Sequence, residues 1–243
     1  MSKIITSAYV ELRRYTPNPE IAVAEAADLC YSKEGLKRDI SLEEARKMIR
    51  RIPKKHKSIL EQADYTFYIQ GISRACSHQL VRHRIASPAQ RSQRYIDERE
   101  SNHFLPERFV DIMGEEWIQE KLKENKGVYQ EILQKYAQRG ITGEKANEEA
   151  RYFLYTSIET KLILKLNASS LLNLLNVRMC NRSQKEVRDV AWKMFSLVYP
   201  TAPSIFEKAG PDCAYATCQE EKRSCGLVEE VKRKLDKIKE EQK

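Results

Sequence analysis

The chain has 243 residues, 41% of them hydrophobic, with 43 Lys+Arg against 35 Asp+Glu and a formal net charge of +8. That length suits one large domain or two small ones with a buried core, and the positive balance favours phosphates or other anions without choosing among them. The apolar runs LILKL and LLNLL are too short for a membrane span, MSKIITSAYVELRRY lacks a secretory leader's apolar core, and the cysteines Cys30, Cys76, Cys180, Cys213, Cys218 and Cys225 are too scattered for a small disulfide scaffold, so a cytoplasmic chain is expected.

No repeat or low-complexity linker interrupts the chain, and one continuous domain with a helical tail is expected. KIITSAYVELRRY is β-branched and aromatic enough for a strand, followed by the turn TPNP. A helix is predicted from Glu20 to Cys30, with Asn18 as its cap and Pro19 in its first turn. A second runs from Ser41 to Ile52, where Ser41 and Glu44 make a capping box and Pro53 ends it.

YTFYIQGIS reads as a strand leading into a helix near ACSHQLVRH. A mostly polar helix is predicted from Glu115 to about Arg139, and a helix with a strong apolar face from Glu144 to Leu166. Ser169 or Ser170 is expected to cap LLNLLNVRM, and Ser183 with Glu186 to box the start of a helix that reaches Tyr199 and stops at Pro200. In the tail, Leu227, Val228, Val231, Leu235 and Ile238 share one helical face. Cys213, Cys218 and Cys225 lack CxxC spacing and an obvious fourth ligand, so no metal site is expected and reduced, unligated thiols are.

RHRIASPAQRSQRY, residues 82–95, concentrates guanidinium groups that repel one another and call for solvent or an anionic partner. Ser87, Gln90, Ser92 and Gln93 intersperse hydrogen-bonding groups and no lysine intervenes, a mixture suited to a small anionic ligand better than to a polymer. Were Arg82 to Arg84 extended, the two arginines would face one side and His83 the other.

RHR, seven residues and then Ser92 resemble the signature of the flavin-dependent thymidylate synthases. HKSIL from His56, AADLCYS from Ala26, the pair Ala150-Arg151 and NASSLLNLLNVR from Asn167 are similar to further family segments in the same order, so the resemblance spans roughly residues 20 to 200. It implies an α+β (mixed α/β) fold, a helix-rich single domain around a twisted, mainly antiparallel sheet. Residues 1–210 would form the catalytic domain, with a Cys-containing segment and amphipathic helix at 211–243 packed on it.

The activity it implies is methylation of dUMP to dTMP, with 5,10-methylenetetrahydrofolate as carbon donor and NADPH as reductant through FAD, tetrahydrofolate leaving as product. It also implies a homotetramer with active sites between subunits. Carried over by position, His56, Ser58, Arg82, His83, Arg84, Asn167 and Asn173 would contact FAD. Gln79, Gln90, Arg91 through its backbone, Ser92, Arg94, Arg151 and Arg178 would hold dUMP, with Arg178 catalytic through charge stabilisation at the uracil carbonyl. No Gly-rich dinucleotide fingerprint is present, so side chains would bind the flavin.

Gln62, Tyr155 and Asp28 depart from residues common in the family at those places. Ser92 has no Ser/His/Asp arrangement around it and reads as a binding residue, and no cysteine is required to attack uracil. The competing class is a non-catalytic basic RNA-binding protein, for which only Tyr95 offers a stacking ring within the arginine stretch. With the enzyme reading, neither nucleic acid nor membrane is expected as a partner.

Overall fold

The computed structural model describes residues 2–33, 35, 39–52 and 56–242. In chain order they form β1 (Ile4–Ile5), β2 (Tyr9–Tyr15), α1 (Pro19–Tyr31), α2 (Leu42–Arg51), β3 (Asp64–Ser73), α3 (Arg74–Leu80), β4 (Ala86–Gln90) and β5 (His103–Phe104). There follow α4 (Glu107–Met113), α5 (Glu115–Ala137), α6 (Glu144–Ala150), β6 (Glu159–Asn167), α7 (Ala168–Arg178), α8 (Lys185–Val198), α9 (Pro203–Phe206) and α10 (Val228–Glu241). Short 3-10 turns fill several junctions, among them Lys57–Gln62 and Arg151–Phe153.

The fold is helix-rich α+β with a mainly antiparallel sheet of order β2-β3-β6-β4. The direction of pairing is visible at the strand ends. Ala168 donates to the Ala63 carbonyl while Arg74 donates to that of Ile158, so β3 and β6 run oppositely. Ile85 pairs with Ser170 and Arg91 with Lys161, which sets β4 against β6 in the same sense. β1 and β5 make a separate parallel pair, Ile4 beside His103.

The chain divides into two compact units. Unit 1 comprises Met1–Tyr9, Ile69–Val81 and Ala89–Ile163; unit 2 comprises Val10–Tyr68, Arg82–Pro88 and Leu164–Lys243. In unit 1 the long helix α5 buries Ile118, Leu122 and Tyr129 and packs on α4 and α6. Gly71 has φ +69, and a Cβ there would meet Ile5 Cγ2 at 3.4 Å, so glycine lets β3 pass close to β1. Unit 2 packs α1 on α2 and α7 on α8, with Tyr65 against Phe206 edge-on at 5.3 Å between ring centroids. Its buried carboxylate, Glu20, accepts from Arg46 Nε at 2.8 Å and from the Ser204 amide at 2.7 Å, which satisfies a charge that would otherwise be costly to bury.

The capping box of Ser41 and Glu44 is present on α2; Pro53 lies outside the described residues. KIITSAYVELRRY yields two strands instead of one, and Asn18 starts α1 in the left-handed region at φ 48 without a side-chain cap. Its carbonyl accepts from Ile21 and Ala22 instead. The helix expected over Glu144 to Leu166 is a correction: it stops at Ala150, and 159–167 form a strand. Leu162, Leu164 and Leu166 are buried while Ile163 is 45% exposed, the two-residue alternation of a sheet face. The cap of α7 is Asn167, whose Oδ1 accepts from the Ser170 amide at 2.8 Å, and α8 begins at Lys185 without a box from Ser183. Among the described residues no helix is long and apolar enough to cross a membrane.

Candidate active site

The expected dUMP residues Gln79, Gln90, Arg91, Ser92, Arg94 and Arg151 fall in unit 1, and the expected FAD residues together with Arg178 fall in unit 2. The boundary passes on both sides of the RHR signature.

In unit 1, β3 enters α3 through Ser73, whose Oγ accepts from the Cys76 amide at 3.0 Å. Gln79 is half-buried near the end of α3. At the end of β4, Gln90 Nε2 donates to Ser77 Oγ at 2.8 Å and to Thr160 Oγ1 at 3.1 Å, which fixes the orientation of its amide. Arg91 is engaged throughout. Its guanidinium pairs with the buried carboxylate of Glu98 and donates to Ser101 Oγ at 3.0 Å; its amide donates to the Lys161 carbonyl at 3.0 Å; its carbonyl accepts from Arg74 Nη1 at 3.3 Å. Burial raises the Glu98 carboxyl above its ordinary range, partly offset by Ser101 and Arg91.

Ser92 accepts from the Arg94 amide at 3.2 Å. Arg94 is held by two carboxylates one turn apart on α6, Glu148 at 2.7 Å and Glu144 at 2.6 Å, while Asn147 Nδ2 donates to its carbonyl at 3.1 Å. Arg151 follows directly as the C-cap of α6. One short helix therefore supports both Arg94 and Arg151.

In unit 2 the RHR segment forms a turn and bends, not a strand. His83 is 9% exposed whereas Arg82 and Arg84 face solvent. Helix α7 anchors this segment at two levels: Ser170 Oγ accepts from the Ile85 amide at 2.9 Å, and Arg178 Nε donates to His83 Nε2 at 2.8 Å. Eight residues of helix separate the two anchors, about 12 Å of rise. Burial first, and the Arg178 charge second, draw the His83 pKa down to about 4. The imidazole is neutral, with Nε2 as acceptor and the proton on Nδ1.

Arg82 and Arg84 are exposed, and among the described residues neither pairs with a carboxylate, in contrast to Arg91 and Arg94. His56 and Ser58 are exposed at the 3-10 turn that packs on α7, Asn173 is exposed on α7, and Asn167 is half-buried at its cap. These donors and cations suit a flavin dinucleotide: unpaired guanidinium forks for a pyrophosphate, and amide and imidazole groups for ring edges. Asp28 lines a cavity of 370 Å³ in unit 2 with Tyr31, Met48, Arg51 and Ile59.

Four residues support this scaffold through contacts not expected from sequence: Ser170, Glu98, Glu144 and Glu148. Only the last two carry a sequence signal, carboxylates four apart on one helical face.

Comparison with known proteins establishes the family. The family model described as "Thymidylate synthase complementing protein" matches residues 11–204. A flavin-dependent thymidylate synthase of Geobacter sulfurreducens is 40% identical over 232 residues, 92% of this chain and 96% of that protein. That of Clostridium tetani is 38% identical over 237 residues, 92% and 95% of the two chains. The crystal structure of Thymidylate Synthase X from Helicobacter pylori with FAD and dUMP superposes with a TM-score of 0.59 at 27% identity, covering 83% of this chain and 98% of that one. Fold and matches define an enzyme of the thymidylate-forming methyltransferase class. Within that class, the chain belongs to the flavin-dependent thymidylate synthase family, and the RNA-binding reading falls away.

Proposed function

We propose that this chain methylates dUMP to dTMP, taking the carbon from 5,10-methylenetetrahydrofolate and reducing equivalents from NADPH, in the cytoplasm. The observation that carries the reading is the pair His83 and Arg178, which joins the signature to the downstream helix. FAD, when bound, supplies the reducing equivalents to the pyrimidine. Arg82 and Arg84 would hold its pyrophosphate, and His56, Ser58, Asn167 and Asn173 its polar edges.

Arg178 acts on dUMP by charge. His83 holds Nε, so rotation of the guanidinium plane is restricted and the cation is aimed at the uracil carbonyl. Negative charge that develops on the ring is stabilised there, and no thiolate has to attach to carbon. Arg94 and Arg151 grip the phosphate, with Ser92 beside them and Gln79 and Gln90 reading the nucleotide. Arg91 serves as a positioning residue, because its side chain and amide already have protein partners.

The dUMP set and the flavin set are brought together in a homotetramer whose active sites lie between subunits. Support comes from exposed apolar surface: Tyr95 is 68%, Tyr152 76% and Phe153 60% exposed in unit 1, and Ile85 67% in unit 2. The test is tritium release from 5-labelled dUMP. Wild-type protein, yellow and bleached by NADPH under anaerobic conditions, should release label only when the folate is present. A colourless protein that FAD cannot reconstitute overturns the proposal.

A further inference from the structure

Four of the six cysteines, Cys180, Cys213, Cys218 and Cys225, belong to unit 2, and none of them has been assigned a role above. Cys180 lies just past α7, and three bonds tie that stretch to the loop carrying the others. Asn176 Nδ2 donates to Asp212 Oδ1 at 2.7 Å, beside Cys213. Arg182 Nε pairs with Glu220 at 3.8 Å, two positions beyond Cys218. Asn181 Nδ2 stands 3.9 Å from the Cys225 sulfur. At the start of the loop, a Cβ on Gly210 would meet Leu235 at 3.3 Å and Met179 Cε at 3.6 Å, so the backbone lies against the residue before Cys180.

Beyond Tyr215, whose hydroxyl donates to the Ala209 carbonyl at 3.1 Å and accepts from Lys239 Nζ at 3.1 Å, side-chain anchoring of this loop is sparse. No residue from Asp212 to Glu230 is buried, and its regular structure is limited to the 3-10 turns Asp212–Ala214 and Glu221–Arg223. A segment that buries so little apolar surface requires cross-linking from elsewhere, by metal or by disulfide. All six thiols are free, and disulfide formation needs an oxidant, whereas a divalent cation needs only deprotonation. Arg182, Lys222 and Arg223 supply positive charge next to Cys180 and between Cys218 and Cys225.

We propose that Cys180, Cys213, Cys218 and Cys225 form a structural tetrathiolate zinc site that fastens the loop to the end of α7, two residues from Arg178. Binding forms four Zn–S bonds, releases four thiol protons to solvent and changes no oxidation state. The Cys213 thiol lies near enough to those of Cys218, Cys180 and Cys225 to interact with each of them. Among the described residues no three potential ligands already surround a common metal position, so the thiols must rotate inward to about 2.3 Å from the metal. Metal uptake and ordering of the loop are thereby coupled.

The test uses the full chain purified under reducing conditions without chelator. Elemental analysis should find about one zinc per chain. Thiol titration of the native protein should find one reactive group, the exposed Cys30, because Cys76 is buried, rising to six after chelation and unfolding. Cobalt added to chelated protein should produce thiolate charge-transfer bands at a strength typical of four sulfurs. Cys180→Ser should weaken those bands, and Cys30→Ser should leave them unchanged. Metal-free reduced protein that takes up neither zinc nor cobalt overturns the proposal, as do disulfides among the four or iron in place of zinc. If the serine variants fail to fold, metal content and thiol count of wild-type protein decide the matter alone.

Discussion

Arg178 donates its Nε proton to Nε2 of His83 at 2.8 Å, across a sequence separation of 95 positions. A cation and a buried neutral imidazole thus form a directional pair in which histidine is the acceptor. The arrangement separates a residue proposed to touch substrate from one that aims it.

Arg178→Ala should retain flavin and lower tritium release by about 100-fold or more, the scale on which a single charge-stabilising donor acts. His83→Ala removes the aim and the expected flavin contact, so with saturating FAD kcat should fall by about 10-fold with a smaller change in KM for dUMP. His83→Gln, which can still accept, should recover part of that loss. Equal kcat in wild type and His83→Ala would show that the pairing has no part in turnover.

The histidines also set an acid limit on stability. Burial draws the pKa of both His83 and His103 down to about 4, below the ordinary 6.5. The unfolded chain therefore binds protons that the folded chain refuses, and stability rises with pH between about 4 and 6.5. Each histidine contributes on the order of 3 kcal/mol, fully present above pH 6.5 and lost as pH falls toward 4. Urea midpoints measured across that range should fall with acidity, and His103→Gln should flatten the slope. A wild-type midpoint that is constant down to pH 4 contradicts this.

Arg94 carries two carboxylates where a phosphate is proposed to bind. Glu144 and Glu148 are 40% and 34% exposed, so each pair adds little stability. Their negative charge does oppose a phosphate. Glu148→Gln should lower KM for dUMP several-fold at unchanged kcat, whereas Arg94→Ala should raise KM by about 10-fold or more. Steady-state kinetics at low and high salt would separate the two, the Glu148→Gln gain shrinking as salt screens it.

Arg91 is expected to behave as a structural residue despite lying in the signature. Glu98 is 1% exposed and Arg91 23%, so Arg91→Ala strands a buried carboxylate and should cost about 3 to 5 kcal/mol by chemical denaturation. Adding Glu98→Gln should restore much of it. A neutral outcome for the single variant would return Arg91 to the list of direct dUMP contacts.

Local signals were read well where one residue's chemistry decided the outcome. The Ser41 and Glu44 box formed because both partners are three positions apart and nothing distant competes. LILKL was misread because an apolar run longer than its turn signals fits either period, and only pairing with β3 and β4 selects the strand. Ser169 or Ser170 was expected to cap α7, but Asn167 took that place and the Ser170 hydroxyl accepts from Ile85, 85 positions away.

By itself, the sequence determined which charged and polar groups are available, in what order, and hence the family that the signature and its flanking segments resemble. Composition and spacing suffice for this because guanidinium excess and missing glycine loops are properties of the list of residues. Tertiary structure alone decided which of those groups are already matched. Arg91 found Glu98, Arg94 found α6 and Arg178 found His83, leaving Arg82 and Arg84 exposed. Partnership depends on distance and burial, and folding sets both between residues far apart in the chain.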